Sequence, residues 1–296
     1  MKKILFFLLG VLMVFPVISR DFEYTYKGKT LKYTVLDEDA KTAKVTTNSV
    51  SGELEIPAKV SDGNAIFTVS SIAWFAFCDC TRLTSVTIPE SVTSIGAYAF
   101  DGCRGLTSVT IPESVTLIGE YAFYDCSDLT RAEFTSIKWL LNIIFGNEYA
   151  NPLYYAHHLF IGGEEVKELI IPSSVTSIGK YAFYGCNGLQ SVYYGADNPL
   201  QGDLDIFSDD TYRNCTLYLS EKGLEKGKSI VPWRMFDNIQ VYDPAGVSEI
   251  SSDFDENEPY EVFSLDGIKV ADSADGLAPG TYVLRQGKAA KKIAVK

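Results

Sequence analysis

Short runs of alternating apolar and polar residues recur along the middle of the chain, and each run predicts a short strand. In one run, Leu83, Val86 and Ile88 are apolar, whereas Ser85 and Thr87 between them are polar. Successive side chains of a strand point to opposite faces, so we expect the apolar residues to point inward and the polar pair outward. Each run therefore predicts a strand with one buried face.

This run belongs to a 23-residue unit that occurs twice in succession, from Thr81 to Cys103 and from Arg104 to Cys126, with 17 of the 23 positions identical. A unit of this size cannot bury its own apolar residues, so neighbouring units stack into an elongated array. The sequence predicts a β-rich solenoid with a parallel sheet of short strands and about 23 residues per coil. Such a fold presents an extended surface, which favours recognition of another macromolecule.

The repeat becomes irregular between Cys126 and Cys186, where we expect two enlarged coils. The apolar spacing over 137–144 predicts a short amphipathic helix. Residues 159–161 and 166–171, joined through Gly162-Gly163, predict a hairpin. Aromatic residues at one repeat position are expected to stack in the core: Phe77, Phe100, Phe123 and Phe183.

The flanking segments predict further units. Residues 1–19 combine two lysines with an apolar run and are typical of a secretory signal peptide. Residues 20–50 predict a β-hairpin N-terminal cap, and the solenoid with its C-terminal cap is assigned to 51–243. An acidic linker follows at 244–259, and short alternating runs over 260–296 predict a small all-β C-terminal module.

Charge narrows the choice of partners. Without the signal peptide, the chain has 24 basic and 38 acidic residues, a net charge of −14. Nucleic acid is therefore not an expected partner, because its binding requires clustered lysine and arginine. The apolar run near the N-terminus is too short to span a bilayer, so we expect no membrane span in the mature chain. We expect the mature chain to be an exported monomer, located at the cell surface or outside the cell.

Four of the six cysteines recur at one repeat position: Cys80, Cys103, Cys126 and Cys186. They predict a buried structural ladder of thiols at successive coil corners. Disulfides between neighbouring coils remain an alternative. Cys78 and Cys215 fall outside this ladder.

The string LTSVTIPESVTSIGAYAFDGC resembles the repeat of BspA-like leucine-rich repeat proteins, and the likeness extends from about Leu54 to Tyr194. The resemblance implies a leucine-rich-repeat solenoid and an exported surface protein of a bacterium, with adhesion as a class of function. The tail from Val262 to Lys296 resembles C-terminal sorting domains of type IX secretion. A degenerate tail without this role is the alternative.

Motifs for catalysis and metal binding are missing from the sequence. The two histidines, His157 and His158, are adjacent, and neighbours along a strand point to opposite faces. No zinc, calcium, phosphate-binding or nucleophile motif has the required spacing. We therefore expect no metal, no cofactor and no enzymatic activity.

The outward strand position should form a row across the sheet: Glu55, Thr87, Thr110, Glu133, Ile170 and Tyr193. Stacking does not demand departures from the repeat, so these departures indicate where a partner would bind. The candidate binding residues are Arg131, Glu133, Ile170, Tyr193, Tyr155 and His157. Two functions remain open, an adhesion module for an extracellular protein or glycan and a structural spacer without a ligand. The variation would in the second case only accommodate the enlarged coils.

Overall fold

The computed structural model describes residues 20–241, 259–264, 269–271, 273, 280–286 and 289–295. The predicted signal peptide lies outside the described residues, as does nearly all of the predicted acidic linker. The described chain is rich in strands, has few helices and contains parallel sheets, which confirms this part of the predicted fold class.

The N-terminal region begins with a hairpin. Six strands form this region: β1 (Asp21–Tyr26), β2 (Lys29–Asp37), β3 (Thr42–Val45), β4 (Gly52–Glu55), β5 (Lys59–Ser61) and β6 (Ile66–Ile72). Strands β1 and β2 are antiparallel and turn at Lys27 and Gly28, whose φ angles are 49° and 77°. Strand β3 pairs with β2 and, in parallel, with β6, so the hairpin continues into the repeats as one sheet.

The repeats contribute strands from two positions of each coil. The elements are β7 (Leu83–Thr87), β8 (Ser94–Ile95), β9 (Ser108–Ile111), β10 (Leu117–Ile118), β11 (Arg131–Phe134), α1 (Ile137–Leu140), β12 (Ile144–Phe145), a 3₁₀ helix (Glu148–Ala150), α2 (Leu153–Ala156), β13 (Leu159–Ile161) and β14 (Glu164–Glu165). Ser85 pairs with Ser108, and Ser108 pairs with Arg131. Equivalent positions of successive units are therefore in register.

The second half adds more parallel strands and a separate antiparallel sheet. The elements are β15 (Glu168–Ile171), β16 (Ser191–Tyr194), a 3₁₀ helix (Leu204–Ile206), α3 (Asp209–Asn214), β17 (Thr216–Leu219), α4 (Glu221–Gly227), a 3₁₀ helix (Trp233–Met235), β18 (Asn238–Val241), β19 (Glu261–Ser264), β20 (Lys269–Ala271), β21 (Gly280–Gln286) and β22 (Ala289–Val295). Strands β15 to β18 are parallel, and the last four strands pair in the order β20-β19-β21-β22.

The described strands form four sheets. The first, called here the short-strand sheet, has the order β1-β2-β3-β6-β8-β10-β12, with β5 added beside β6. The second, called the main sheet, has the order β14-β13-β11-β9-β7-β4. The third, called the downstream sheet, contains β15 to β18, and the fourth contains β19 to β22.

Two local predictions for the irregular region need correction. Helix α1 ends at Leu140, and Ile144, predicted in the same helix, lies in β12 with 64% of its surface exposed. In the hairpin, Gly162 and Gly163 form the turn with φ angles of 59° and 90°, but the second arm is β14, not residues 166–171. The tight glycine turn brings Glu164 and Glu165 back against β13 at once, and the following residues are free to start the downstream sheet.

The predicted phenylalanine stack lies in the core. Phe100 is fully buried between Phe77 and Phe123, with ring centroids 5.3 and 5.2 Å apart. Phe183 stacks on Phe207 at 5.4 Å. In the coil between these two stacks, buried Asn151 follows Tyr149 and Ala150 where the repeat places a phenylalanine after Tyr-Ala. The stack is therefore interrupted by an amide.

Asn151 links this irregular coil to the next. Its Nδ2 donates to the carbonyl oxygens of Tyr181 at 2.7 Å and Ala182 at 3.2 Å, and its Oδ1 accepts from the backbone N–H of Leu153 at 3.0 Å. Three hydrogen bonds compensate for burying a polar side chain, which would otherwise be destabilising.

Candidate recognition surface

Arg131 and Glu133 lie together on the outer face of β11. The guanidinium Nη2 is 2.9 Å from Glu133 Oε2, and the Arg131 Cζ lies 3.8 Å from the centroid of the Phe160 ring on β13. The backbone N–H of Gly163 donates to Glu133 Oε1 at 2.8 Å. The glycine turn thus fixes the carboxylate, and the carboxylate and the ring fix the arginine. The result is a partly exposed ion pair over an aromatic ring, a cation–π arrangement held in one geometry.

The predicted outward row follows the main sheet only in part. Glu55 pairs with Thr87, Thr87 with Thr110, and Thr110 with Glu133, as the register of the repeats predicts. The next residue in the row is Phe160, not Ile170, so the predicted single row is wrong at this point. The β13–β14 hairpin occupies the edge of the main sheet, and β15 begins another sheet. Sequence alignment of Ala132 with Leu159 was the signal that could have placed Phe160 beside Glu133.

Ile170 and Tyr193 lie on the downstream sheet. Ile170 pairs with Tyr193, which pairs with Tyr218. The rings of Tyr193 and Tyr218 stack with centroids 4.6 Å apart and planes 8° apart. The sequence interpretation missed Tyr218, although its position in T-L-Y-L matches the alternation of the preceding strand. Ile170, Tyr193 and Tyr218 form a second, more apolar face. In the sequence, this face follows the cluster of Arg131, Glu133 and Phe160, called here the Arg131 cluster.

Tyr155 and His157 occupy a different place from the four strand residues. The Tyr155 hydroxyl accepts a hydrogen bond from the backbone N–H of Asp125 at 3.0 Å. His157 ends α2 in the left-handed conformation, with φ of 57°, and its Nδ1 lies 3.0 Å from the carbonyl oxygen of Gly185. Both side chains connect turns of successive coils. The structure does not bring them into the row of Arg131 and Glu133.

The thiol ladder is present at the coil corners. All six cysteines are free. Cys103 Sγ donates to the carbonyl of Phe77 at 3.1 Å, and Cys126 Sγ donates to that of Phe100 at 3.2 Å. Cys80 makes the same kind of bond to Asn48 at 3.4 Å. Each thiol therefore satisfies a carbonyl of an earlier turn, which is a structural role.

Burial keeps these thiols protonated. Burial raises the pKa of Cys186 to about 12 and that of Cys215 also to about 12. Cys215, which falls outside the ladder, is also fully buried. Reactive cysteines have lowered pKa values and exposed sulfur, the opposite of this environment.

A row of aromatic rings follows the coil turns outside the core. Ring centroids are 4.9 Å apart for Phe75 and Tyr98, 5.1 Å for Tyr98 and Tyr121, and 5.5 Å for Tyr121 and Tyr149, with planes 12° apart in each pair. Tyr98 is only half-buried, whereas Phe100, two residues later, lies in the core. Because the faces of these rings contact each other, the row presents ring edges to its surroundings.

The described residues contain neither a cluster of metal ligands nor a helix suited to crossing a membrane. No three side chains of histidine, cysteine, aspartate or glutamate come together there as ligands for an ion. His158 lies against Glu165, with Nδ1 and Oε1 2.7 Å apart, and this hydrogen bond lowers the pKa of Glu165. None of the helices in the described part of the chain has the length and apolar character needed to cross a bilayer.

Comparison with known proteins identifies the repeat. A sequence model of the family described as "BspA type Leucine rich repeat region" matches residues 64–151 and 155–242 in six copies. No curated protein matches the chain.

Solved structures give more distant similarities. A leucine-rich repeat protein from Bacteroides ovatus is 22% identical over 75% of this chain and 54% of that protein, with a TM-score of 0.43. One from Bacteroides capillosus is 34% identical over 35% of this chain and 75% of its own, with a TM-score of 0.32. A leucine-rich cell surface protein from Faecalibacterium prausnitzii is 22% identical over 68% and 71%, with a TM-score of 0.34. The chain spans about half the length of the Bacteroides ovatus protein.

Proposed function

The chain belongs to the BspA type leucine-rich repeat family, and from that membership we propose that it is an exported cell-surface protein whose solenoid binds an extracellular protein or glycan. Leucine-rich repeat arrays commonly provide extended binding surfaces, and the function of such an array depends on the residues at that surface. The proposal therefore assigns recognition, and not enzymatic activity, to this protein.

One observation carries the placement of the binding surface. The outward strand position holds Thr87 and Thr110 in the clean repeats, but Glu133 and Phe160 in the irregular coils, with Arg131 stacked over Phe160. Arginine and aromatic residues are enriched at the energetic centres of protein interfaces, because they combine large contact area with directional polar groups. The cluster is already ordered by Gly163, so little side-chain entropy would be lost on binding.

The termini support export in this proposal. Residues 1–19 act as the signal peptide, and the tail over 260–296 acts as a type IX sorting domain. Intact-mass measurement of the exported protein tests both. The expected masses lack residues 1–19 and, where the sorting domain is removed, the residues after about 244. An unprocessed mass on the outside of the cell would contradict both assignments.

A binding comparison tests the recognition surface. The purified chain is applied to immobilised extracellular-matrix proteins and mucin glycans, and the variant carrying Arg131→Ala, Glu133→Ala and Tyr193→Ala is compared with it. A matched control carries Thr87→Ala and Thr110→Ala on the same sheet. We expect the triple variant to lose binding and the control to retain it, with unchanged thermal midpoints. Unchanged binding by the triple variant would refute this placement, and no binding to any probe would favour the spacer.

A further inference from the structure

The short-strand sheet has an outward row of its own, which joins the N-terminal hairpin to the repeats. The paired positions in order are Asp21, Thr34, Lys44, Ser71, Ser94, Leu117 and Ile144. The neighbouring residues Ile72, Ile95 and Ile118 are buried, so alternation turns the row away from the core. This row was not among the sequence predictions, because it requires the hairpin and the short strands to share one sheet.

A groove of about 610 Å³ lies over this row. Its lining includes Asp21, Lys44, Ser71, Trp74 and Ser94. Gly96 and Gly119 also line the groove, and a Cβ atom on either glycine would lie within 2.6 Å of the backbone of the preceding coil. Close stacking of the coils thus excludes a side chain at these two positions.

Trp74 is the most informative residue of the groove. It leaves 68% of its surface exposed, whereas Trp233 is fully buried. The repeat has Ala97 and Glu120 at the same position, so stacking of the coils does not demand an indole there.

The backbone on both sides of Trp74 is anchored. The N–H of Ala73 donates to the carbonyl of Val45 at 2.8 Å, and the N–H of Phe75 donates to that of Ala97 at 3.2 Å. The exposed indole therefore stands beside the groove on an anchored main chain, so the backbone of this contact surface needs no ordering on binding.

The polar groups of the groove identify the chemistry of a ligand. Asp21 and Lys44 contribute one charge of each sign, and the remaining polar lining is mostly hydroxyl: Thr34, Thr46, Thr47, Ser71 and Ser94. The Thr34 hydroxyl donates to Asp21 Oδ1 at 2.7 Å and so orients the carboxylate. A balanced charge favours neither an anion nor a cation, whereas many donors and acceptors suit a neutral ligand rich in hydroxyl groups.

From these observations we propose that the groove over Ser71 and Ser94 binds a neutral oligosaccharide, with one pyranose ring packed against Trp74. The C–H face of a pyranose is apolar and flat enough to contact an indole, and its hydroxyls match the groove lining. From Asp21 to Leu117 the row crosses five strand spacings, about 24 Å, which is long enough for several sugar units. This inference rests on the proposed recognition function but uses a different surface from the Arg131 cluster.

The test uses the purified full chain and an array of neutral plant, fungal and mucin-type oligosaccharides of three to six units. We expect at least one to bind, Trp74→Ala to weaken that binding about tenfold or more, and Trp74→Phe to restore most of it. Ile144→Ala is the matched control, since Ile144 is exposed in the same row but does not line the groove. Bound oligosaccharide should also protect Trp74 from fluorescence quenching by acrylamide.

The outcomes separate this inference from the proposed function. If no oligosaccharide binds while a protein probe still binds through Arg131 and Glu133, the glycan inference is wrong and the recognition function stands. If an oligosaccharide binds equally to the wild type and Trp74→Ala, the groove is the wrong site. Binding of a protein probe, and of no oligosaccharide, through Trp74 would also overturn the inference. If no probe of either kind binds, both proposals fail together.

Discussion

Removing pairs of rings from the phenylalanine stack should reveal how much face-to-face contact between coils stabilises the fold. Phe77, Phe100 and Phe123 are fully buried, and only the neighbours in this series contact each other, at 5.3 and 5.2 Å. Replacement by leucine keeps most of the apolar volume and removes the ring. Each single replacement should cost about 1–2 kcal/mol in free energy of unfolding.

For the double variants, we predict how far the loss of free energy of unfolding departs from the sum of the two single losses. A stacked aromatic pair is worth about 0.5–1.5 kcal/mol beyond its buried area. The variant carrying Phe77→Leu and Phe100→Leu should therefore lose that much less than the sum of its single variants, because the shared contact is counted twice in the sum. The variant carrying Phe77→Leu and Phe123→Leu has no shared contact, so its loss should be additive within about 0.5 kcal/mol.

Urea unfolding followed by far-UV circular dichroism measures these free energies, and tryptophan fluorescence checks that both signals report one transition. The slope of free energy against urea should stay constant across the series, since the same surface is exposed on unfolding. Equal coupling in the adjacent and the separated pair would refute the reasoning. It would mean that the coupling between two substitutions arises from general loosening of the core and not from contact between the two rings.

Three further outcomes are expected. Iodoacetamide without a reductant should label Cys78 alone in the folded chain and all six cysteines in urea, because the other five are buried and Cys78 is partly exposed. Fewer than six adducts by intact mass in urea would reveal a disulfide. Asn151→Ala should lower the free energy of unfolding by about 2–3 kcal/mol, because it removes three hydrogen bonds at a fully buried site. As a control, Asn142→Ala at an exposed site should lower it by less than about 0.5 kcal/mol. Equal losses would contradict the linking role of Asn151. Hydrogen bonds from Lys27 and Tyr26 lower the pKa of Glu55. The contribution of Glu55 to the free energy of unfolding should therefore be complete above the pKa of the unfolded state and disappear as the pH falls through the pKa of the folded state. The Glu55 pKa, measured by NMR titration, should rise in Lys27→Met, and an unchanged pKa would contradict this contact.

Local pattern was sufficient for much of the scaffold. The alternation of Leu83, Val86 and Ile88 predicts the strand, and all three are buried, Leu83 and Val86 within β7 and Ile88 directly after it. The recurrence of phenylalanine and cysteine at fixed places predicts the ring stack and the thiol ladder, because identical units that stack in register bring identical residues together. The Gly162-Gly163 turn was also predictable from the sequence, since positive φ angles in a tight turn favour glycine.

The strand pairing of the irregular coils could not be predicted from the sequence pattern in the same way. The glycine turn of the hairpin was predicted, but its second arm and the transfer of β15 to another sheet were not, so Phe160 instead of Ile170 became the neighbour of Glu133. Pairing across a sheet joins residues far apart in sequence, and an insertion of one residue changes every partner that follows it. The sequence shows that the repeat fails there but not which strands meet.

The sequence by itself determined that this protein stacks repeated strands, that phenylalanine and cysteine recur at fixed stacking positions of the repeat and that its departures from the repeat are concentrated after Cys126. Only the tertiary structure decided that Arg131 lies over Phe160 and that the hairpin and short strands share one sheet, with a groove beside Trp74. The physical reason is the range of the interactions. Periodicity records which side of its own strand a residue occupies, whereas a binding surface depends on the neighbours supplied by other coils, and these are set by packing between them.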